Sequence, residues 1–531
     1  MRNFHFPGRS PVYAESAMAA TSMPAATLAA LNVMRSGGNA IDAAVTAAAL
    51  LGVIEPQSTG IGGDCFCLAT LAGRPGVVAL NGSGHAPAAA TIDYFEARAI
   101  QQIHESSAHA VTIPGAISAW ETLLKAHGTR SLGEVLQPAI DAAENGMIVH
   151  QRVAWDWQDA IPKLRAAGSF GLLPKGLAPT AGSRFANPAL AKTLRRIARH
   201  GSAGFYRGDV ANILTSYLRA RGGTHTEEDF AAGEHAAEFV NPIWLRWRDC
   251  ELWQCPPNGT GITALMMAGI LASFEPASQP FGKLRFHRQI EAARLAFRDR
   301  DALVGDPLFS KVPVGKLLEP DYLAGLASLI QDDARLERLP AAGESVLPFH
   351  RDTVYLCVVD RDGNSCSLIN SLFDDFGGGL YVDELGIVLH NRGSGFQVSR
   401  GHPNCIGPGK RPLHTILPAL LTRGGSPLMT FGVTGGHFQP TGQVSFLNNI
   451  FDYGLNIQAS LDAPRAYPIA GQVLAEHGVS DTTFAGLGDL GHDIVRTRRP
   501  LGGGQAILID RARGVLTGGS DPRRDGFAAG Y

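Results

Sequence analysis

The 531-residue chain has an ordinary globular composition, 45% hydrophobic and 18% charged, so it can bury a large core. Its 46 Lys and Arg residues nearly balance 48 Asp and Glu residues, and the net charge of −2 gives no reason to expect nucleic-acid or anionic-membrane partners. Neither a secretory signal at residues 1–10 nor a run of roughly 20 apolar residues is evident, which predicts a cytoplasmic protein outside the membrane.

The cysteine content indicates reduced thiols. An odd number of cysteines cannot all pair within one chain, and no export signal accompanies them. Cys65 and Cys67 would point to one face of a strand and pack there, and no companion cluster with zinc spacing follows, so we predict no metal. The seven are Cys65, Cys67, Cys250, Cys255, Cys357, Cys366 and Cys405.

The first third of the chain is mainly helical. Helices are predicted at 24–35 and 40–51, and the glycine-rich turn at 60–63 leads into strands at 65–70 and 76–80. That turn lacks the Lys-Ser/Thr ending of a phosphate loop, so tight backbone packing is the favoured interpretation. Ser131 and Glu134 fit a capping box that opens a further helix.

Residues 353–372 read as a β-hairpin with a hydroxyl at its start. The stretch 353–359 favours a strand, residues 362–364 supply a turn, and residues 365–372 form the return strand. Thr353 could be an ordinary strand residue. If the bond between Asp352 and Thr353 were cut, however, the new α-amino group of Thr353, with an unperturbed pKa of about 7.7 to 8.0, could serve as the base for its own hydroxyl.

Residue patterns after position 243 predict the remaining helices and strands. Residues 244–253 alternate as strands, 288–303 form an amphipathic helix, and 386–390, 426–432 and 505–510 read as further strands. Early helices, many strands around Thr353 and no clear linker predict one α+β domain, residues 1–531, with helices packed on two stacked sheets.

Five stretches, taken together and in order, resemble the gamma-glutamyltransferase family of the amino-terminal nucleophile hydrolases. They are Gly-Gly-Asn-Ala-Ile-Asp-Ala-Ala-Val at 37–45, Glu-Pro-Gln-Ser-Thr-Gly-Ile-Gly-Gly-Asp at 55–64, Gly-Pro-Gly-Lys-Arg-Pro-Leu at 407–413, Gly-Val-Thr-Gly-Gly at 432–436, and Ser-Asp-Pro-Arg at 520–523 before the terminal Ala-Gly-Tyr. The resemblance covers nearly the whole chain. It implies a four-layer αββα sandwich, self-cleavage into residues 1–352 and 353–531, and fragments that stay associated, with a heterotetramer possible.

The resemblance also implies roles for particular residues. Thr353 would attack an amide carbonyl and form an acyl-enzyme, without a metal or organic cofactor. Gly435 and Gly436 would stabilise the oxyanion, and Ser371 stands where the family has a hydroxyl that bonds the nucleophile. Asn391 is a candidate for the pocket wall. A terminal pair, Asp521 and Arg523, is interpreted as structural.

Three departures from the family pattern question a γ-glutamyl substrate. Ser83 stands where the family has the arginine that binds the substrate carboxylate, and Gly395 stands where it has the aspartate that binds the ammonium. The paired serines of the family become His414 and Thr415, and Arg392 is a new polar group near the same pocket. The segment 396–407 is also shorter than in members with a closing loop, which predicts an open pocket and favours hydrolysis over transfer.

These departures resemble the branch that contains oxamate amidohydrolase and glutaryl-type cephalosporin acylases. The leading hypothesis is therefore an autoprocessing amidohydrolase for a small amide with a nearby carboxylate, with oxamate as one candidate. A true gamma-glutamyltransferase acting on glutathione is the first alternative. An uncleaved structural or binding homologue is the second.

Overall fold

The computed structural model describes residue 5, residues 8–339 and residues 353–531, so Asp352 lies outside the described residues. Two seven-stranded antiparallel sheets pack face to face, and helices cover both outer faces. This is the four-layer αββα arrangement that the sequence predicted. None of the described helices is both long and apolar enough to cross a membrane. The α-helices are Pro24–Arg35, Ala40–Ile54, Ile92–Glu96, Ala116–His127, Leu132–Asn145, Gln151–Ala166, Pro188–His200, Ala203–Tyr206, Asp209–Arg219, Glu227–Gly233, Gly261–Leu271, Lys283–Leu303, Val314–Leu317, Pro320–Ala327, Gln439–Phe451, Ile457–Asp462 and Asp481–Asp489.

The strands of each large sheet come from both sides of the predicted cleavage point. The first sheet runs, in spatial order, Phe527–Gly530, Met18–Thr21, Val354–Val359, Ser365–Ser371, Asp64–Thr70, Val78–Gly82 and Glu238–Val240. The second runs Val12–Ala14, Val515–Ser520, Gly504–Asp510, Ser426–Val433, Ala419–Arg423, Cys250–Gln254 and Ile243–Trp247. Smaller sheets contain Met147–Ile148 with Arg184–Phe185, Tyr381–Val382 with Ile387–Val388, and Ala466–Ile469 with Gln472–Ala475 and Asp493–Arg496.

The strand after Thr353 is buried on both faces. Val354, Leu356 and Val358 pack against the helices, and the intervening Tyr355, Cys357 and Val359 pack between the sheets. Successive side chains of a strand point to opposite faces, so this alternation places odd-numbered positions between the two sheets. The same alternation places the side chains of Cys65 and Cys67 together on the helix-covered face of their strand. All seven cysteines are free thiols, as expected.

Most predicted elements are present, with shifted ends. The helix predicted at 40–51 extends to Ile54, and that predicted at 288–303 begins at Lys283. The capping box of Ser131 and Glu134 is formed. The strand predicted at 386–390 shrinks to Ile387–Val388, because the surrounding residues leave the ladder to contact other parts of the chain: the His390 N–H donates to the carbonyl of Gly62.

The Asp521 carboxylate holds the carboxyl-terminal strands together. It is fully buried, pairs with Arg465 at 2.5 Å and accepts the Gly504 N–H at 3.0 Å. Arg523 contacts the same carboxylate at 3.2 Å and Glu476 at 2.6 Å. Burial raises the pKa of Asp521, but Arg465 and Arg523 outweigh this and keep it below the usual range. These contacts support the structural interpretation of the pair.

Replacing Asp521 with Asn is expected to destabilise the fold by about 3 to 5 kcal/mol, because two arginines would lose a buried counter-charge. Thermal and urea unfolding would measure this loss. The partly exposed pair of Glu144 and Arg195 offers a control, since Glu144→Gln should cost less than about 1 kcal/mol. Equal stability of Asp521→Asn and the wild type would contradict a structural role.

Candidate active site

Thr353 and Ser371 face each other at the start of the hairpin. Val354 pairs with Asn370 in the ladder, so the two hydroxyl residues next to this pair are opposite and share the face between the sheets. Their oxygens, Thr353 Oγ1 and Ser371 Oγ, are 3.0 Å apart, and both side chains are buried. Ser371 Oγ also accepts the Phe373 N–H at 2.9 Å, which anchors it beside Thr353.

Arg392 places a buried guanidinium beside this hydroxyl pair. Its Nη1 donates to Thr415 Oγ1 at 2.7 Å, its Nη2 donates to Ser371 Oγ at 3.2 Å, and its Cζ lies 3.9 Å from the Phe373 ring centre. Burial lowers the pKa of Arg392 to about 9, so the group stays charged at neutral pH. Among the described residues, no carboxylate forms an ion pair with Arg392, and its Nε–H has no acceptor.

Asp64 and His414 form a buried pair next to Arg392. His414 Nε2 is 2.9 Å from Asp64 Oδ2, and the other carboxylate oxygen accepts the N–H groups of Gly84 and Gly115 at 3.0 Å each. Burial and the charge of Arg392 lower the pKa of His414 to about 3, so the ring is neutral and donates Nε2–H to the carboxylate. Its Nδ1 has no partner among the described residues.

The burial of His414 predicts a pH dependence of stability. An unfolded histidine titrates near 6.5, so between pH 6.5 and 3 the unfolded chain binds a proton that the folded chain excludes. The contribution of His414 to the free energy of unfolding is therefore fully present above about pH 6.5. It falls as the pH decreases, by about 2 to 3 kcal/mol at pH 4.5. His414→Asn should lose less stability than the wild type between pH 7.5 and 4.5 in urea titrations.

The exposed His477 provides the control for this experiment. His477→Asn should retain the wild-type pH dependence. Parallel stability curves for His414→Asn and the wild type across this pH range would show that His414 is not held neutral in the folded protein.

The side chains of Ser83 and Asn391 form hydrogen bonds with other residues of the protein. Ser83 Oγ donates to Asn81 Oδ1 at 2.7 Å and accepts from Asn258 Nδ2 and Arg411 Nη1, both at 3.2 Å. Ser83 therefore belongs to a polar cluster that adjoins the Asp64 pair: the N–H of the following glycine donates to Asp64, and the Asn258 carbonyl accepts the His414 backbone N–H at 2.9 Å. Asn391 Nδ2 donates to Asp374 Oδ2 at 2.7 Å, so its amide is engaged inside the protein.

Gly435 and Gly436 follow the strand Ser426–Val433 in backbone conformations suited to glycine, with φ of 114° and 57°. A Cβ on Gly432 would lie 2.4 Å from the Tyr355 ring, so this strand crosses the hairpin two residues from Thr353. No described residue accepts a hydrogen bond from the N–H of Gly435 or Gly436. Two backbone donors without an acceptor among the described residues thus follow the strand that packs on the hairpin.

Asp64 and Phe373 belong to the site although the sequence assigned them no role. Asp64 closes the 55–64 motif, and an acidic residue directly after a glycine turn was its only signal. Phe373 has φ of 80°, a left-handed conformation that is rare for an aromatic residue, and its ring lies between Arg392 and His437, 6.5 Å from the latter. A backbone conformation of this kind cannot be read from residue types.

His390, two residues before Arg392, is unsuited to hold a metal. His390 Nε2 donates to the Thr112 carbonyl at 2.9 Å, and its Nδ1 accepts the Arg392 N–H at 3.2 Å. Burial lowers the pKa of His390, in keeping with a neutral ring that has one donor and one acceptor nitrogen. Both nitrogens are therefore occupied.

Residues 26–531 match the family model described as Gamma-glutamyltranspeptidase. The chain belongs to the gamma-glutamyltranspeptidase family. A member from Bacillus subtilis (strain 168), named glutathione hydrolase-like YwrD proenzyme, is 35% identical over 95% of this chain and 96% of its own length. The oxamate amidohydrolase proenzyme of Klebsiella pneumoniae is 33% identical over 95% of this chain and 97% of its own.

A solved structure extends the gamma-glutamyltranspeptidase match to the fold. The cephalosporin acylase from Bacillus halodurans superposes with a TM-score of 0.92 and 37% identity, covering 100% of this chain and 99% of that one. The chain is therefore an enzyme of this family with the amino-terminal nucleophile hydrolase fold. Family membership alone does not decide which amide the enzyme cleaves.

Proposed function

We propose that this enzyme is an autoprocessing amidohydrolase in which Thr353 cleaves a small amide that carries a carboxylate close to the scissile carbonyl, with oxamate as the first candidate. Cleavage between Asp352 and Thr353 would give fragments 1–352 and 353–531 and free the Thr353 amine. The interleaving of both fragments within each large sheet supports their continued association, because separating them would expose strand edges throughout the core.

The proposed reaction is a two-step acyl transfer to water. Thr353 Oγ1 attacks the amide carbon while its α-amino group accepts the hydroxyl proton, and the N–H groups of Gly435 and Gly436 stabilise the oxyanion. The same proton then passes to the departing amine as the C–N bond breaks. The α-amino group of Thr353 then deprotonates a water molecule, which attacks the ester and restores the Thr353 hydroxyl. Ser371 orients the nucleophile through its 3.0 Å contact.

The observation that carries the substrate class is the buried guanidinium of Arg392, which has no carboxylate in direct contact among the described residues. A guanidinium has five N–H donors, and only two have acceptors among the described residues, Thr415 Oγ1 and Ser371 Oγ. A substrate carboxylate would make the bidentate contact that Asp64 and Asp374, which act on Arg392 from a longer distance, do not make. Arg392 would then serve in place of the family arginine that is lost at Ser83.

The position of Arg392 limits the length of the acyl group. Both Thr353 Oγ1 and Arg392 Nη2 bond to the same Ser371 oxygen, so they lie within about 6 Å of each other. A carboxylate attached directly to the scissile carbonyl, as in oxamate, fits that separation. The α-carboxylate of an extended γ-glutamyl group lies several bonds further from the carbonyl. The oxamate amidohydrolase among the relatives supports the same choice.

A substrate series of graded length tests this proposal. Processed protein would be assayed with oxamate and with oxalyl, malonyl, succinyl, glutaryl and γ-glutamyl anilides, and with glutathione in the presence of glycylglycine. We expect kcat/KM to be highest for the shortest spacers and hydrolysis to exceed transfer. Fastest turnover of the γ-glutamyl substrates, with efficient transfer to glycylglycine, would overturn the proposal in favour of a true gamma-glutamyltransferase.

A further inference from the structure

A second polar cluster lies outside the active site, where the Lys283–Leu303 helix meets the carboxyl-terminal part of the chain. It consists of His287 and Glu291, one helical turn apart, and His492, just before the strand Asp493–Arg496. All three are buried, and one ligand-type atom from each lies within 4.8 Å of the others. Buried imidazole and carboxylate groups that converge in this way are the ligand set of many zinc sites.

The distances in the cluster fit a small divalent ion. His287 Nδ1 is 2.8 Å from His492 Nε2, which is 3.9 Å from Glu291 Oε1. Zinc binds nitrogen and oxygen at about 2.0 to 2.2 Å, so its tetrahedral ligands stand on the order of 3.3 Å apart. The two observed separations lie on either side of this value, and shifts of about half an ångström would satisfy it.

The contacts behind the ligands have the pattern of a metal site. His287 Nε2 donates to the Gln331 carbonyl at 2.6 Å, which turns the lone pair of Nδ1 toward the centre of the cluster. Arg294 binds both Glu291 oxygens, at 2.7 and 2.9 Å, and the Leu336 N–H donates to one of them at 3.1 Å. These contacts orient a carboxylate whose oxygens retain accepting capacity toward His492.

We propose that His287 Nδ1, His492 Nε2 and one oxygen of Glu291 bind a divalent transition metal ion of the zinc type. Without the ion, His492 Nε2–H donates to His287 Nδ1. With the ion, His492 adopts the tautomer protonated at Nδ1, so the metal replaces the shared proton and both rings remain neutral. Water completes the coordination. Two imidazoles and a carboxylate suit zinc or cobalt better than magnesium or calcium.

The metal would join the two fragments of the processed enzyme. His287 and Glu291 precede the proposed cleavage point and His492 follows it, and the supporting groups of Gln331 and Leu336 lie near the end of the large fragment. An ion held from both sides would stabilise the assembled pair over separated fragments. Metal binding itself does not depend on the proposed substrate.

The test uses full-length protein stripped with a chelator and titrated with Co²⁺, then Zn²⁺. We expect one Co²⁺ per chain, visible absorption bands of a low-coordinate nitrogen and oxygen site, and displacement by equimolar Zn²⁺. Saturating Zn²⁺ should raise the unfolding temperature by about 2 to 5 °C. His287→Gln and His492→Gln should each remove the bands and weaken binding about 100-fold or more.

The exposed histidine variant His477→Gln should bind Co²⁺ like the wild type, which separates the buried cluster from surface histidines. Two ligand variants are included because either could fold poorly, and circular dichroism would identify the folded one. Absence of stoichiometric Co²⁺ binding by folded wild-type protein, or wild-type affinity in a folded ligand variant, would show that the cluster is only a hydrogen-bond network and overturn the proposal.

Discussion

Thr353→Ala is expected to leave a single uncut chain of 531 residues with amide turnover reduced by at least about 10⁴-fold. The variant lacks the hydroxyl that would attack both the bond after Asp352 and the substrate. Without cleavage, the amine that would serve as base does not form either. Intact-mass spectrometry of wild type and variant side by side would measure the processing, and an amide assay would measure the turnover.

Two variants of the hydroxyl pair control this experiment. Thr353→Ser keeps both nucleophile and base and should still be cleaved. Ser371→Ala removes the oxygen 3.0 Å from Thr353 Oγ1 but keeps the nucleophile, so processing should slow without being abolished. A wild-type chain that stays intact through prolonged incubation, with no amide turnover, would favour the uncleaved homologue. Cleavage of Thr353→Ala at the same bond would rule out Thr353 as the processing nucleophile.

Arg392→Met is expected to lower kcat/KM for carboxylate-bearing amides by about 30-fold to several thousand-fold, the equivalent of roughly 2 to 5 kcal/mol. Methionine is apolar and can still pack against the Phe373 ring, so the main change is the loss of the cation. Turnover of an otherwise identical amide with a neutral group in place of the carboxylate should fall much less, since it loses only the support that Arg392 gives to Ser371. The ratio of the two kcat/KM values is the decisive measurement, because an unspecific defect would lower both.

Two comparisons make the Arg392 experiment specific. Arg392→Lys keeps a charge but loses the planar fork, so an intermediate activity is expected. Arg285→Met removes another buried guanidinium, one bonded to Asn449 at 2.6 Å, and should lower stability without altering substrate preference. Equal losses for charged and neutral amides in Arg392→Met would mean that Arg392 supports the site rather than binding the substrate carboxylate.

The sequence was sufficient for those features that depend on local patterns. Strand-forming residues at 353–359 and turn residues at 362–364 predicted the hairpin after Thr353, which the structure contains. Capping residues such as Ser131 marked a helix start because they satisfy the first N–H groups locally. Long motifs predicted the family, which the family match confirmed. The altered substrate pocket inferred from Ser83 stays a prediction.

By itself, then, the sequence determined the layer architecture, the family and the candidate nucleophile, because strand period, caps and motifs lie within short stretches of chain. Only the tertiary structure decided which side chains share a site. Asp64 meets His414 across 350 positions, and Arg392 reaches Ser371 from a turn on another segment. Such pairings arise from sheet register and chain crossings between distant segments, and charge compensation inside a buried pocket becomes visible only when those segments are brought together.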